Sequence, residues 1–405
     1  MPDVAVVDAG PDAEQDPDVY PAKHQPIAQL DNFGGPVLDH VQVVTVTFND
    51  GPDGGPEPLA TLFNKFDDTI VADAWWAQAM AGYGVMTGTS GGHVALPDTV
   101  SNTNITDDQL KQYLQAQVTA GALPTPTTET LFALYFPKTT SITLQGAGSC
   151  SAFLGYHNSA SIQLEGGTVE AAYAVLPRCD YGQGPTQLVK DTLVTASHEF
   201  AEAASDPHPE VNPAYYLQSN DAWVLEGDGQ GGEVGDLCDF IGALRYDDNG
   251  YTVQRIWSNQ AAAQSKDPCQ PTDDFSPPRF YYGAAVRTEH VTVGVNGQPS
   301  DGYLLVKRGK TASFQVNVFS EAPLPSDLHF YVGVPKRGAT DPSDMAALSD
   351  GVTATLSIMT GHNGNAAVLA VTVASTAAMI DDFFVVRSVL ASDDFHDWPV
   401  ILRVQ

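Results

Sequence analysis

Leu193-Val-Thr-Ala-Ser-His-Glu-Phe-Ala-Glu-Ala-Ala-Ser-Asp-Pro207 decides how this chain is read. On a helix of about 3.6 residues per turn, His198 and Glu202 share one face, so an imidazole and a carboxylate can grip one cation. Glu199 sits beside them, where a zinc peptidase keeps its general base; the pattern is HExxH with Glu in place of the second His. The trio is interrupted only by Phe and Ala and has no Lys or Arg partner, which argues against a solvated face. It is either a metal or catalytic centre or a buried polar network without chemistry.

A catalytic zinc takes about three protein ligands and keeps one position open. Glu233 and Asp236, in the glycine-rich segment Glu226-Gly-Asp-Gly-Gln-Gly-Gly-Glu-Val-Gly-Asp-Leu-Cys238, lead the candidates for the third. Asp206 follows, eight residues past His198, although an Asp before Pro207 equally caps a turn. His208 stands at the third-ligand spacing of HExxHxxGxxH, but Ser205 replaces the glycine. Glu199 would take the proton of the attacking water and pass it to the leaving amine. The motif makes Zn2+ the expected ion. One imidazole and two carboxylates form a harder, more anionic donor set than a His-rich zinc site, which makes Ca2+ (or Mn2+) the alternative and acidifies a bound water less.

The chain has 405 residues and a formal charge of −31, with 49 Asp and Glu against 18 Lys and Arg. Such a surface repels phosphate backbones, which excludes nucleic acid. No apolar run approaches the roughly 18 residues a transmembrane helix needs. Residues 1–26 are acidic and Pro-rich, which predicts a disordered tether. Behind Met1-Pro2-Asp3 there is no signal-peptide pattern, so the expectation is a spacer following an upstream export or lipoprotein signal, with a lipid anchor. Cys150, Cys179, Cys238 and Cys269 contain no CxxC pair. Paired in sequence order they close two loops of about 30 residues, as suits an oxidising compartment; four buried thiols are the alternative.

Alternating or apolar stretches at 38–48, 130–136, 141–144 and 171–176 read as strands, and 59–80, 106–118 and 187–205 as helices. Sheet first, then the His198 helix, then an irregular Gly/Asp segment predicts an α+β zincin-like metallopeptidase-type domain over 27–272. After the linker Pro271–Pro278, about seven short strands predict an all-β immunoglobulin-like sandwich over 273–405, an accessory module.

Phe33-Gly-Gly-Pro-Val-Leu38, Trp75-Trp76 with Tyr83-Gly-Val85, Cys150-Ser-Ala-Phe-Leu-Gly-Tyr-His157, the His198 helix, Glu233-Val-Gly-Asp-Leu-Cys238 and Val253-Gln-Arg-Ile-Trp-Ser-Asn259 occur in this order. Together they resemble the phosphate-induced protein 1 (EXORDIUM-like) family over about residues 30–270. That resemblance implies an extracellular protein with paired cysteines, and it adds His157 as a catalytic candidate. The expected function is a secreted metal-dependent peptidase with a protein or peptide substrate. The alternative is a non-catalytic protein that binds a cell-surface polymer and holds a structural calcium.

Overall fold

In the computed structural model every residue of the strand Thr130–Phe136 is buried. A strand buried on both faces needs helices above and below it. Leu131, Ala133 and Tyr135 enter one core with Phe63, Phe66, Leu193 and Phe200. Phe132, Leu134 and Phe136 enter a second core with Leu110, Leu114 and Val118 of the helix Asp107–Thr119. The model describes residues 13–49, 57–97, 104–218, 221–227, 231–239, 244–272, 279–288, 290–293, 299–336, 339–378 and 381–405. Parts of four expected features lie outside these: the tether over 1–12, the glycine-rich segment over 228–230, the linker over 273–278, and the end of the strand expected at 290–295.

The sheet runs in the order Thr89–Leu96, Gln42–Phe48, Thr130–Phe136, Gly167–Pro177, Tyr156–Leu164. The first four strands are parallel, and Tyr156–Leu164 pairs antiparallel at the edge. The expected α+β order is therefore closer to mixed α/β, because parallel neighbours need crossovers and helices supply them. The helix expected over 59–80 is broken into Ala60–Ile70 and Ala74–Ala79, the second capped by Asp73 on the Trp76 amide. Thr106 caps Asp107–Thr119 in a capping box with Gln109. Cys150–Cys179 and Cys238–Cys269 are bonded, which removes the free-thiol alternative.

The second module is strand-rich. Tyr282–Val286, Lys310–Ser320, Ala366–Val373 and Val352–Leu356 form one antiparallel sheet. The larger sheet is built on Pro299–Val306, Asp394–Val404, Asp381–Ala391 and Leu328–Pro335. Within it Pro299–Val306 and Asp394–Val404 run parallel. Val316, Leu369, Phe384 and Leu402 share a core that is continuous with the first module.

Residues 13–26 depart from the tether expectation. Asn363 accepts from Ala22 N (3.0 Å) and donates to the Pro17 and Val19 carbonyls (2.9 Å each). His24 stacks on Phe319 with ring centroids 3.7 Å apart. Capture of backbone groups by a buried side chain holds a segment that is too polar to bury itself.

Candidate metal centre

The helix Pro185–Ser205 begins with Pro in its first turn behind Gly184 and ends at Asp206, where Pro207 stops it. Leu193, Ala196, Phe200 and Ala203 bury one side against the sheet. With about 100° between successive residues, His198, Glu202 and Glu199 fan across an adjoining side with Glu202 in the middle. Facing them are His157, near the start of the edge strand, and the segment Glu233–Asp236, pinned by Cys238.

Each histidine is held at one nitrogen and aimed with the other. Gln254 Nε2 donates to the Gly235 carbonyl (2.7 Å), so Gln254 Oε1 accepts from His198 Nδ1 (3.0 Å). His198 Nε2 then points at Glu202 Oε1 (3.0 Å) and Asp236 Oδ1 (3.7 Å). His157 Nε2 donates to the Asp206 carbonyl (3.0 Å) and lies 3.4 Å from Glu233 Oε1. His157 Nδ1 faces Glu202 Oε2 (3.4 Å) and Glu199 Oε2 (3.7 Å). A nitrogen lone pair this close to a carboxylate oxygen must be met by a proton or by a cation. Fixing the opposite nitrogen by a carbonyl is how proteins orient metal-binding imidazoles.

The electrostatics are lopsided. Glu199, Glu202, Glu233, Asp206 and Asp236 face two imidazoles, and among the described residues the ion pairs of these carboxylates are with those histidines. Burial pushes Glu199 and Glu233 up, Asp236 to about 7 and Asp206 to about 6. Burial acts on Glu202 in the same direction, but His198 and His157 on either side hold it well below the usual range. Burial would lower the imidazoles; the carboxylates around them outweigh it and hold both well above their ordinary value. Glu199 Oε2, Glu233 Oε1 and Asp206 Oδ2 are buried without a hydrogen-bond partner.

Two trios offer ligand atoms within 4.8 Å of one another: His198, Glu202 and Asp236, and His157, Glu202 and Glu233. Asp206 contributes its carbonyl to His157 while its carboxylate caps Ala214 N (2.8 Å). His208 is buried but belongs to neither trio. Two positions that matter escaped the motif reading. Gln254 lay within the quoted Val253–Asn259 motif without a role. Gly235 is needed because a Cβ there would stand 2.6 Å from His198 Nδ1.

The edge strand leads away from this centre. At Gln163 both backbone groups are bonded by the Gln115 side chain (2.7 and 3.2 Å). Between there and His157, its outer side pairs with no strand among the described residues. A cleft of about 470 Å³ runs beside it, lined by Lys111, Gln115, Asn158, Ser159, Ser161 and Glu210 among others.

Among the described residues, no helix is long and apolar enough to cross a membrane. No protein-family model matches the sequence, and no curated protein matches it. Among solved structures, the chain is similar to domains 4 and 5 of the S-layer protein SbsC, at 14% identity over 30% of this chain and 53% of that one, with a TM-score of 0.18. It thus spans about half the length of that S-layer structure. It is also similar to wild-type OgpA from Akkermansia muciniphila, at 10% identity over 94% of this chain and 96% of that one, with a TM-score of 0.23. At TM-scores this low, neither likeness bears on function.

Proposed function

We propose that the protein is an extracellular metal-dependent peptidase, with a zincin-like first module and an immunoglobulin-like accessory module. The observation that carries this reading is the buried centre itself: two pre-oriented imidazoles and five carboxylates, several with orphaned oxygens, with no Lys or Arg among their described ion-pair partners. Left without a cation, such a cluster is costly, because each buried unpaired oxygen loses its hydration. A divalent cation supplies Lewis acidity toward water and a scissile carbonyl. His198 Nε2, Glu202 Oε1 and Asp236 Oδ1 are the residues that would hold it.

Glu199 is next in the chain to a ligand, buried, with Oε2 free to accept a proton. Its raised pKa suits a group that takes a proton from water and returns it to a leaving amine near neutral pH. The choice of a peptide rests on the edge strand, since an extended chain can add to an unpaired edge through main-chain hydrogen bonds. Laid along residues 157–161, it would run toward the centre. The two disulfides support export to an oxidising compartment.

The test is hydrolysis of an unfolded protein substrate by metal-loaded enzyme. Glu199→Gln is expected to lower the rate by about 10²–10⁴-fold, with bound metal unchanged. Full activity in that variant would overturn the assignment of the base. A wild-type chain that hydrolyses nothing with any divalent ion would overturn the peptidase reading. The predominance of carboxylate donors favours a second reading, a non-catalytic surface protein built around calcium. Calcium-dependent thermal stabilisation with no zinc retained would select it.

A further inference from the structure

We propose that this centre takes two divalent cations, one at His198, Glu202 and Asp236 and one at His157, Glu202 and Glu233, bridged by the Glu202 carboxylate. The inference rests on the metal-binding reading above and deepens it. Glu202 is common to both trios, and its two oxygens serve different histidines: Oε1 lies 3.0 Å from His198 Nε2, and Oε2 lies 3.4 Å from His157 Nδ1. A carboxylate bound to a single ion would not need an imidazole at each oxygen.

The spacings fit ligands. Donor atoms bound tetrahedrally at about 2.0–2.2 Å sit roughly 3.4 Å apart. The observed separations are 3.0 and 3.7 Å around His198 Nε2. At His157, Nδ1 lies 3.4 Å from Glu202 Oε2, while Glu233 Oε1 lies 3.4 Å from the opposite nitrogen, Nε2; the three ligand atoms of this trio lie within 4.8 Å of one another.

Charge points the same way. One dication offsets two of the five carboxylates, whereas a second offsets two more and leaves the buried centre close to neutral. The orphaned Glu233 Oε1 lies within the second trio, and the orphaned Glu199 Oε2 points at His157 Nδ1. Each ion would have one imidazole and two carboxylates, a set suited to zinc or manganese.

The test is ion stoichiometry. The full chain is stripped with a chelator, titrated with Zn2+ or Mn2+ by calorimetry, and its metal content is measured after dialysis. Wild type is expected to bind two ions per chain. Glu233→Gln and His157→Ala should each retain one. His198→Ala should also retain one, and Glu202→Gln should weaken both by at least about 100-fold. Because His157 is fully packed, the more exposed Glu233 provides a variant whose fold is safer, and circular dichroism checks both. One ion per chain in wild type, kept at full affinity by Glu233→Gln, overturns the two-ion proposal and leaves the single-metal reading standing. No ion bound by folded wild type overturns both.

Discussion

Gln254 shows how much of the centre depends on a side chain that belongs to neither trio. Its amide is fixed by the Gly235 carbonyl and by nothing exchangeable, so it can only offer Oε1 to His198 Nδ1. Gln254→Met keeps the volume and removes both hydrogen bonds. The imidazole is then free to turn, and metal affinity should fall by about 10–100-fold, as for other partners that orient ligand histidines. The Gly235 carbonyl keeps its bond from the Cys238 amide (3.1 Å), so the lost side-chain hydrogen bonds should cost about 0.5–1.5 kcal/mol of stability. Chelator-competition titration measures the first and urea melts the second; an unchanged dissociation constant would remove Gln254 from any positioning role. The i, i+4 pair His198 and Glu202 was readable in the sequence because helix geometry alone brings them to one face. His157, Gln254 and Gly235 meet that pair across 33 to 56 residues of chain, and no local periodicity encodes such a meeting. His157 became a candidate only through the order of the short motifs around it.

Elements with strong apolar patterns were legible, and those with weak ones were not. Thr130-Leu-Phe-Ala-Leu-Tyr-Phe136 is a strand in the sequence and in the fold. Thr89–Leu96 carries two glycines and few apolar groups, and it was missed; Gly91 is there because a Cβ would stand 2.8 Å from Val44 Cγ2. The polarity of Asp67 hides the second role of the helix Ala60–Ile70. Asp67 is buried against the sheet, where it accepts from Tyr135 Oη (2.6 Å) and Thr45 Oγ1 (2.7 Å). Burial raises its carboxyl to about 8 despite those bonds. The folded state therefore holds a proton that the unfolded chain releases near pH 4. Stability from this group is fully present below that point and is lost as pH rises toward about 8. Asp67→Asn mimics the protonated form, so its stability relative to wild type should grow between pH 5 and pH 9, by about 2–5 kcal/mol. Thermal melts at the two pH values measure this, and parallel curves for the two proteins would show that Asp67 ionises freely.

The two modules and the acidic N-terminal stretch are joined by contacts that composition does not announce. Trp223, on the short helix Ala222–Gly227 of the first module, packs edge-on against Trp398 of the second (5.5 Å) and Trp257 of its own (5.3 Å). Residues 13–26 lie on the second module even though their acidic, Pro-rich composition reads as disorder. The reason is Asn363, about 340 residues away in sequence and 4% exposed. Its carbonyl accepts from Ala22 N and Ser320 N (3.0 Å each), and its amide donates to Pro17 and Val19. One side chain thus satisfies three backbone groups of the N-terminal stretch and the amide at the end of the strand Lys310–Ser320. Asn363→Ala should release this segment while leaving the sheets intact, since the stacking of His24 on Phe319 is a small contact by itself. The expected loss is about 1–3 kcal/mol, because the freed groups partly recover water as the segment detaches. Hydrogen exchange over residues 15–24 should accelerate, and proteases should cut there first. Unchanged protection in the variant would mean that His24 and its neighbours hold the segment without Asn363.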